Sequence, residues 1–585
     1  MISQLPSEII YHIAAYLPAL STLLSLARTC RRLYKIILVE DSHVFRHFVK
    51  NNFPSIETPA YWKDAAVALT SRSRALDRHA LIGRFVVPPR DAAKVGSHQS
   101  TRRDNPTIGY RPAIDSYEVW NGEKWADRKE VLAWGAGDEV MMRIKQLGSR
   151  KQEKWLVFND LDHISSYDDI CGLRLLRPEQ HGKEADREHL IFGRIRGDLV
   201  HIVISPDEAT YEYKQKFATH GFSIDRMDLS RGSEPVLAAH LDSDSIALYH
   251  TASEETEVQP FVHIPVVTAG ATRAKYSGFL SSHRLAVGTG GLGNSLSVFT
   301  ILPERVSICR EIGVDELDIE NRNGIAQKAH VTAIAPLKMQ GVEESSGDVF
   351  LAGWGDREVR LHDLRSNRPY ESTYRDSTDD NPVYSIQPFS QDRFLVGVGA
   401  DAVLKIFDLR MQSNYSYLNA KIPHARNSTK PDANRYDSTA PSTYLRKDFS
   451  LFLSHRPPKV VSNGRRHFNS TRSYRGAIYA LSTPSPSSPT VYAGISDGVF
   501  RLDFASTDDL TGSCRSWFDE ILSLDINMDG KSRDRVLEMS GYERPDPDDF
   551  TTVSRLRTQR PFWSLALDEE EYKYEQRTGW DRRWM

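Results

Sequence analysis

Histidines, cysteines and glycine clusters are the groups through which this chain would do metal, covalent or phosphate chemistry, and they are dispersed. Cys30, Cys171, Cys309 and Cys514 are the only four cysteines, too far apart to supply the paired ligands of a zinc site. Lone thiols in so long a chain point instead to a reducing, intracellular compartment. His43 and His47 have ligand spacing on a helix, but no third ligand lies near them in sequence. The glycines between Gly288 and Gly293 separate two strands and open no helix, so they do not form a phosphate cradle. No nucleophile elbow occurs. No cofactor is expected, and the chain reads as non-catalytic. Binding chemistry remains. Trp354 with Arg357, and Arg194 with Arg196, fall in short turns. Trp and Arg are enriched at binding hot spots, and arginine forks pair with phosphate oxygens. These four are candidate binding contacts.

The elements that must carry such contacts follow from length and pattern. A chain of 585 residues with 40% apolar and 26% charged residues has the length of several domains, or of one large repeat array with an appendage. Its formal net charge of -3 argues against a dedicated nucleic-acid or polybasic membrane protein, each of which needs a concentrated positive face. No uncharged apolar run reaches the ~18 residues that span a bilayer. The apolar start is not a signal peptide, since no basic segment precedes it and Glu8, His12, Pro6 and Pro18 interrupt it. Ile9, Ile10, Ile13 and Leu17 mark a helical stripe after Pro6. Ser21 is a candidate N-cap for a second helix with Leu23, Leu24 and Leu26, and a third runs from about Arg28 through Leu33 to Ile37. Three short helices cannot bury a stable core alone.

These residues resemble an F-box: Leu5-Pro6 with Glu8-Ile9, then Leu17-Pro18, Leu23 and Leu26, then Cys30-Arg31 and Tyr34. The resemblance covers about 45 residues, by order and spacing of the prolines and apolar positions. It implies docking on a Skp-type adaptor, and through it on a cullin–RING core, with Leu5, Pro6, Ile9, Ile13, Leu17, Leu23 and Leu26 as the apolar docking residues.

Beyond residue 115 short apolar strands are punctuated by Gly, Asp and Asn. The segment 349–356, followed by 358–365, repeats as 393–401 followed by 402–410, about 45 residues apart as in a four-stranded propeller blade. A third copy runs over 491–503, and weaker ones over 189–204, 235–249 and 284–300. These copies resemble WD repeats, with the closing pair present as His362-Asp363, Phe407-Asp408 and Leu502-Asp503. The aspartate persists and the tryptophan does not, so blade stability is expected to rest on packing. With a seventh blade drawn from 130–176, and 562–567 closing the ring onto it, the expected fold is mainly β: a seven-bladed β-propeller with an N-terminal α-helical F-box.

The expected organisation is an F-box over 1–47, a helical stalk and linker over 48–114, and a propeller over 115–585. A basic, Ser/Thr-rich insertion at about 414–474 is expected to be largely disordered. Together the two resemblances imply the substrate-recognition subunit of a Skp–cullin–F-box ubiquitin ligase, with Trp354, Arg357, Arg194 and Arg196 as contacts for a target protein, phosphorylated or not, and ubiquitin transfer belonging to partner subunits. Asp363-Leu364-Arg365 and Asp408-Leu409-Arg410 also resemble, without their tryptophan, the boxes by which some propellers dock on the damaged-DNA-binding adaptor of another cullin. Arg365 and Arg410 would carry that alternative contact. A scaffold without ligase function is the remaining alternative.

Overall fold

The computed structural model describes residues 5–411 with short internal breaks, 449–452, 477–505 without 497, and 540–542. Five helices open the chain: α1 (Ser7–Ala15), α2 (Leu20–Arg28), α3 (Arg31–Tyr34), α4 (His43–Asn52) and α5 (Trp62–Arg78). Pro6 stands just before α1, where its missing N–H costs no helical bond. α2 starts at Leu20 with Ala19 at its cap, so Ser21 lies inside the helix and does not cap it. Cys30 takes the capping role for α3, its sulfur accepting from Leu33 N at 3.5 Å. α3 widens into a π-helical turn at Lys35–Val39 that turns Ile36 and Ile37 into the core. Ile10, Ala14, Leu23, Leu33, Ile37, Phe45 and Phe48 close one small core. Asn51 and Asn52 of α4 donate to Ala15 O at 2.7 and 3.2 Å, satisfying a carbonyl at the end of α1.

Among the described residues, beside one two-stranded sheet, the strands form seven four- or five-stranded sheets, each a blade, antiparallel except for one parallel outer strand in each of two of them. Their innermost strands are Ile114–Trp120, Ile170–Leu176, Ile224–Leu229, Tyr276–Ser281, Val331–Pro336, Val383–Pro388 and Ala480–Ser482. Each touches the next around a closed ring, and the last touches the first. Seven blades is the expected number, with two differences of assignment. Ile170–Leu176 is the inner strand of the second blade and pairs with Glu188–Arg194, not a part of the first. The first blade instead begins at Ile114. Residues 562–567 lie outside the described residues. The closure that is described comes from the other end of the chain. Leu81–Val86, directly after α5, pairs antiparallel with Gly498–Asp503 as the fourth strand of the seventh blade. Ala93–Gly96 then adds a parallel strand to the outer edge of the first blade, along Gln152–Asn159. One short segment therefore fastens the two blades that meet at the seam.

A glycine near the end of the second strand recurs in six blades, and it sets the packing of neighbours. Gly135, Gly193, Gly288, Gly353, Gly397 and Gly494 lie against Ile170, Ile224, Val331, Val383, Ile478 and Ile114 of the following blade. A Cβ on Gly353 would fall 2.4 Å from Val383 Cγ1. The glycines that made the repeat legible thus mark where one sheet abuts the next.

Besides the packing expected to hold the blades, arginines and a lysine form buried ion pairs within them. Arg360, fully buried, grips Asp356 at 3.1 and 2.6 Å and lies 5.5 Å over Trp354. Arg501 pairs with Asp503 at 2.9 Å and Lys405 with Asp376 at 3.1 Å, all nearly without solvent contact. The basic insertion lies outside the described residues except at Phe449–Phe452, which pairs with Val403–Asp408 as the fourth strand of the sixth blade. That blade needs an outer strand, and the chain supplies it from within the insertion.

Candidate docking surfaces on two rims

Loops joining first to second strands, and third to fourth, gather on one rim of the ring. Loops joining second to third strands, and one blade to the next, gather on the other. The helices sit on the first rim. α5 is a two-ended strut: Ala65, Ala66 and Leu69 belong to the helical core, while Ala75 and Leu76 belong to the core shared by the sixth and seventh blades. Between them the buried Arg72 donates to Pro486 O at 2.7 Å and Ser488 O at 2.9 Å, and lies 5.0 Å over Phe389. Burial brings its guanidinium down to about 10. Asp77 pairs with Arg393 at 2.7 Å. The first blade contributes Trp125 to the helical core itself, and Gly122 O accepts from Tyr61. In the fifth blade, Lys338 pairs with Glu57.

With its inner face so occupied, the helical domain leaves an apolar outer surface. Ile9 is 44% exposed, Tyr16 76%, Tyr34 50% and Val39 66%. They are four of the eight large apolar side chains exposed on the described chain, and Ile9 and Tyr16 are two turns apart on one side of α1. Of the expected docking residues, Pro6 and Ile9 are exposed, and Leu5, Ile13, Leu17 and Leu26 are half-buried. Arg32 Nη2 holds Leu5 O at 2.8 Å, tying the start of the chain to α3. Leu23 is a correction: it is fully buried in the helical core and holds helices together. Tyr16, Tyr34 and Val39 were missed. Their signal was large apolar residues on helix positions that the core does not require.

On the opposite rim the four expected partner contacts divide. Trp354 ends the second strand of its blade with its side chain fully buried, so it does not face a partner. Arg194 is equally internal, pairing with Asp160 at 2.6 Å. Both corrections have one cause: second strands are covered on both faces by adjoining blades, so their last residues point into packing. Arg196 and Arg357 do sit in turns on the rim. Arg196 is 40% exposed and pairs with Asp168 at 2.7 Å; Arg357 takes the left-handed conformation, φ 77°. Two aromatics that carry no repeat signal flank Arg196. Arg196 N donates to the main chain of exposed Tyr167 at 2.9 Å, and Gly197 lies against the main chain of exposed Phe222.

Arg365 and Arg410 lie on the stalk rim and fold back in identical forks. Each places Nε 2.9 Å and Nη2 2.7 Å from the carboxylate two residues earlier, Asp363 and Asp408. Arg410 is also held by Asp392 at 2.7 Å.

A small helical domain thus sits on one rim of a closed seven-bladed β-propeller. Residues 2–50 match the model of an F-box-like family, and such domains in general bind a Skp-type adaptor. No curated protein matches the chain. Among solved structures, the crystal structure of Saccharomyces cerevisiae Sqt1 is similar at 12% identity and a TM-score of 0.37, covering 64% of this chain and 82% of that one.

Proposed function

We propose that the chain is the substrate-recognition subunit of a Skp–cullin–F-box ubiquitin ligase. The observation that carries this reading is the division of labour between the rims. The F-box-like helices spend their inner face on the propeller and keep Ile9, Tyr16, Tyr34 and Val39 for an adaptor, while Tyr167, Arg196, Phe222 and Arg357 remain on the far rim for a target. The target is a protein, whose ubiquitination is carried out by the partner subunits. Holding it there raises its concentration at the activated ubiquitin.

Affinity purification of the wild type against an Ile9→Glu/Tyr34→Glu variant tests the adaptor contact. Each change places a charge in a desolvated apolar contact, so recovery of a Skp-type adaptor and cullin is expected to fall at least ~30-fold. The melting temperature should stay unchanged, since neither side chain is in the core. Full recovery with the variant would end this reading. Recovery of the damaged-DNA-binding adaptor, lost on Arg365→Ala with Arg410→Ala, would replace it by the alternative.

A further inference from the structure

Three of the four large apolar side chains exposed on the described propeller, Tyr167, Tyr213 and Phe222, belong to the second blade and the loops beside it; the fourth is Ile308 of the fourth blade. Main-chain contacts draw those loops together. The turn 194–198 donates from Arg196 N to Tyr167 O at 2.9 Å and from Ile195 N to Asp169 O at 3.1 Å. On its other side Ile195 O accepts from Ile224 N at 3.1 Å, Gly197 O accepts from Thr219 Oγ1 at 2.7 Å, and the main chain of Phe222 lies against Gly197. Tyr167 and Phe222 therefore stand on either side of a single turn. Tyr213, on the outer strand of the same blade, donates its hydroxyl to Asp160, which also holds Arg194 at 2.6 Å. Exposed aromatics gathered on loops with a fixed main chain form a surface ready to bind.

The charge around these aromatics selects the partner. Segments 160–169, 194–198 and 219–225 carry six aspartates against two arginines and two histidines. Asp242, which accepts from Ser223 N at 2.9 Å, adds a seventh carboxylate. Both arginines are already committed. Arg194 is buried against Asp160, and Arg196 forks between Asp168 at 2.7 Å and Asp198. Arg226, the next cation along the chain, is stacked 4.2 Å over the ring of Tyr276. A phosphate approaching Arg196 would have to displace two carboxylates at once, against the repulsion of the other aspartates. A lysine or arginine meets the reverse: carboxylates for its charge and aromatic faces for its stem.

We propose that this rim binds a basic, unphosphorylated segment of the target protein, with lysine or arginine stems lying on Tyr167 and Phe222 and their charges facing the aspartates. The proposal rests on the reading of the chain as a substrate receptor and names the chemistry of what it receives. Fluorescence anisotropy of the full chain with a labelled peptide of alternating arginine and leucine tests it. Saturable binding is expected, weakening as salt is raised. It should weaken at least ~10-fold in Tyr167→Ala/Phe222→Ala and stay unchanged in Ile308→Ala, which trims an exposed apolar side chain on another blade. Arg196→Gln supplies the sign. It leaves Asp168 and Asp198 to the peptide, so the basic probe should bind at least ~3-fold more tightly, whereas an arginine that read phosphate would be missed. No saturable binding, equal binding by the double variant, or weaker binding by Arg196→Gln would overturn the proposal. So would tighter binding of the same peptide with phosphoserine in place of leucine, or self-association of the chain abolished by the same two alanines. The measurement contains no adaptor: loss of the adaptor contact in purification leaves its result standing, and its failure with the adaptor still recovered removes only the basic target.

Discussion

At the scale of single residues, Arg72 shows how much one side chain can hold. Its guanidinium is buried between a helix and a loop of the seventh blade and satisfies two main-chain carbonyls there. Arg72→Met keeps the length of the stem but leaves Pro486 O and Ser488 O without that donor. A loss of about 2–4 kcal/mol is expected, read by urea denaturation. The buried histidines set the response to acid. Burial holds His362 and His189 down at about 3, and the charges of His181 and His201 lower His189 further. Burial likewise holds His201 at about 4, even though Gln215 opposes the shift. In the unfolded chain all three take up protons near pH ~6.5. Between that pH and their folded values the unfolded state binds more protons, so stability falls as pH falls. Each histidine contributes at most ~1.4 kcal/mol per pH unit. Denaturation midpoints measured from pH 7 to pH 4 should decline steadily, and His362→Phe, which keeps a ring against Phe350, should flatten the decline.

At the scale of elements, the recurring glycine is the device that sets the spacing of blades. Gly353→Ala forces a methyl into Val383, and the neighbour is a β-branched residue in an inner strand with little room to give. About 1–3 kcal/mol of destabilisation is expected from thermal or urea melts. Blades five, six and seven carry this glycine beside a tight turn and a following strand that ends in Asp, and they are plain in the sequence. The glycine alone is not enough: the second and fourth blades carry Gly193 and Gly288 and are weak copies, as is the third, which has Leu241 at the end of its second strand. Helix α5 was legible because Trp62, Ala65, Ala66, Leu69 and Leu76 keep a helical period, and one stripe of it meets both cores. Trp354 and Arg194 were misread because turn-adjacent position suggests exposure, whereas a strand sandwiched between sheets has no exposed face. Tyr167 and Phe222 went unseen because loops between blades share no pattern. The pairing of Leu81–Val86 was hidden for a different reason: nothing local in a strand names a partner so far away in the chain.

At the scale of the whole molecule, the helices and the ring are one construction. α5 enters the core of the last two blades and runs straight into the strand that closes them. Phe85 is 3% exposed and meets Phe500 edge-on at 4.8 Å. Phe85→Ala is expected to cost about 3–5 kcal/mol. Hydrogen exchange should show the loss concentrated at the seam, in 490–503 and 114–120, rather than spread evenly over the seven blades.

That seam also imposes an order on biosynthesis. Leu81–Val86 leaves the ribosome long before Gly498–Asp503, its partner in the ladder. At ~5–20 residues per second, the roughly 400 residues between them keep the first strand waiting for some 20–80 s. Throughout that interval an apolar strand with an unsatisfied backbone edge trails from the helical domain, a target for chaperones and for mispairing. Completion of the ring therefore waits on the seventh blade, and a chain truncated anywhere before Gly498 would leave that strand without its partner.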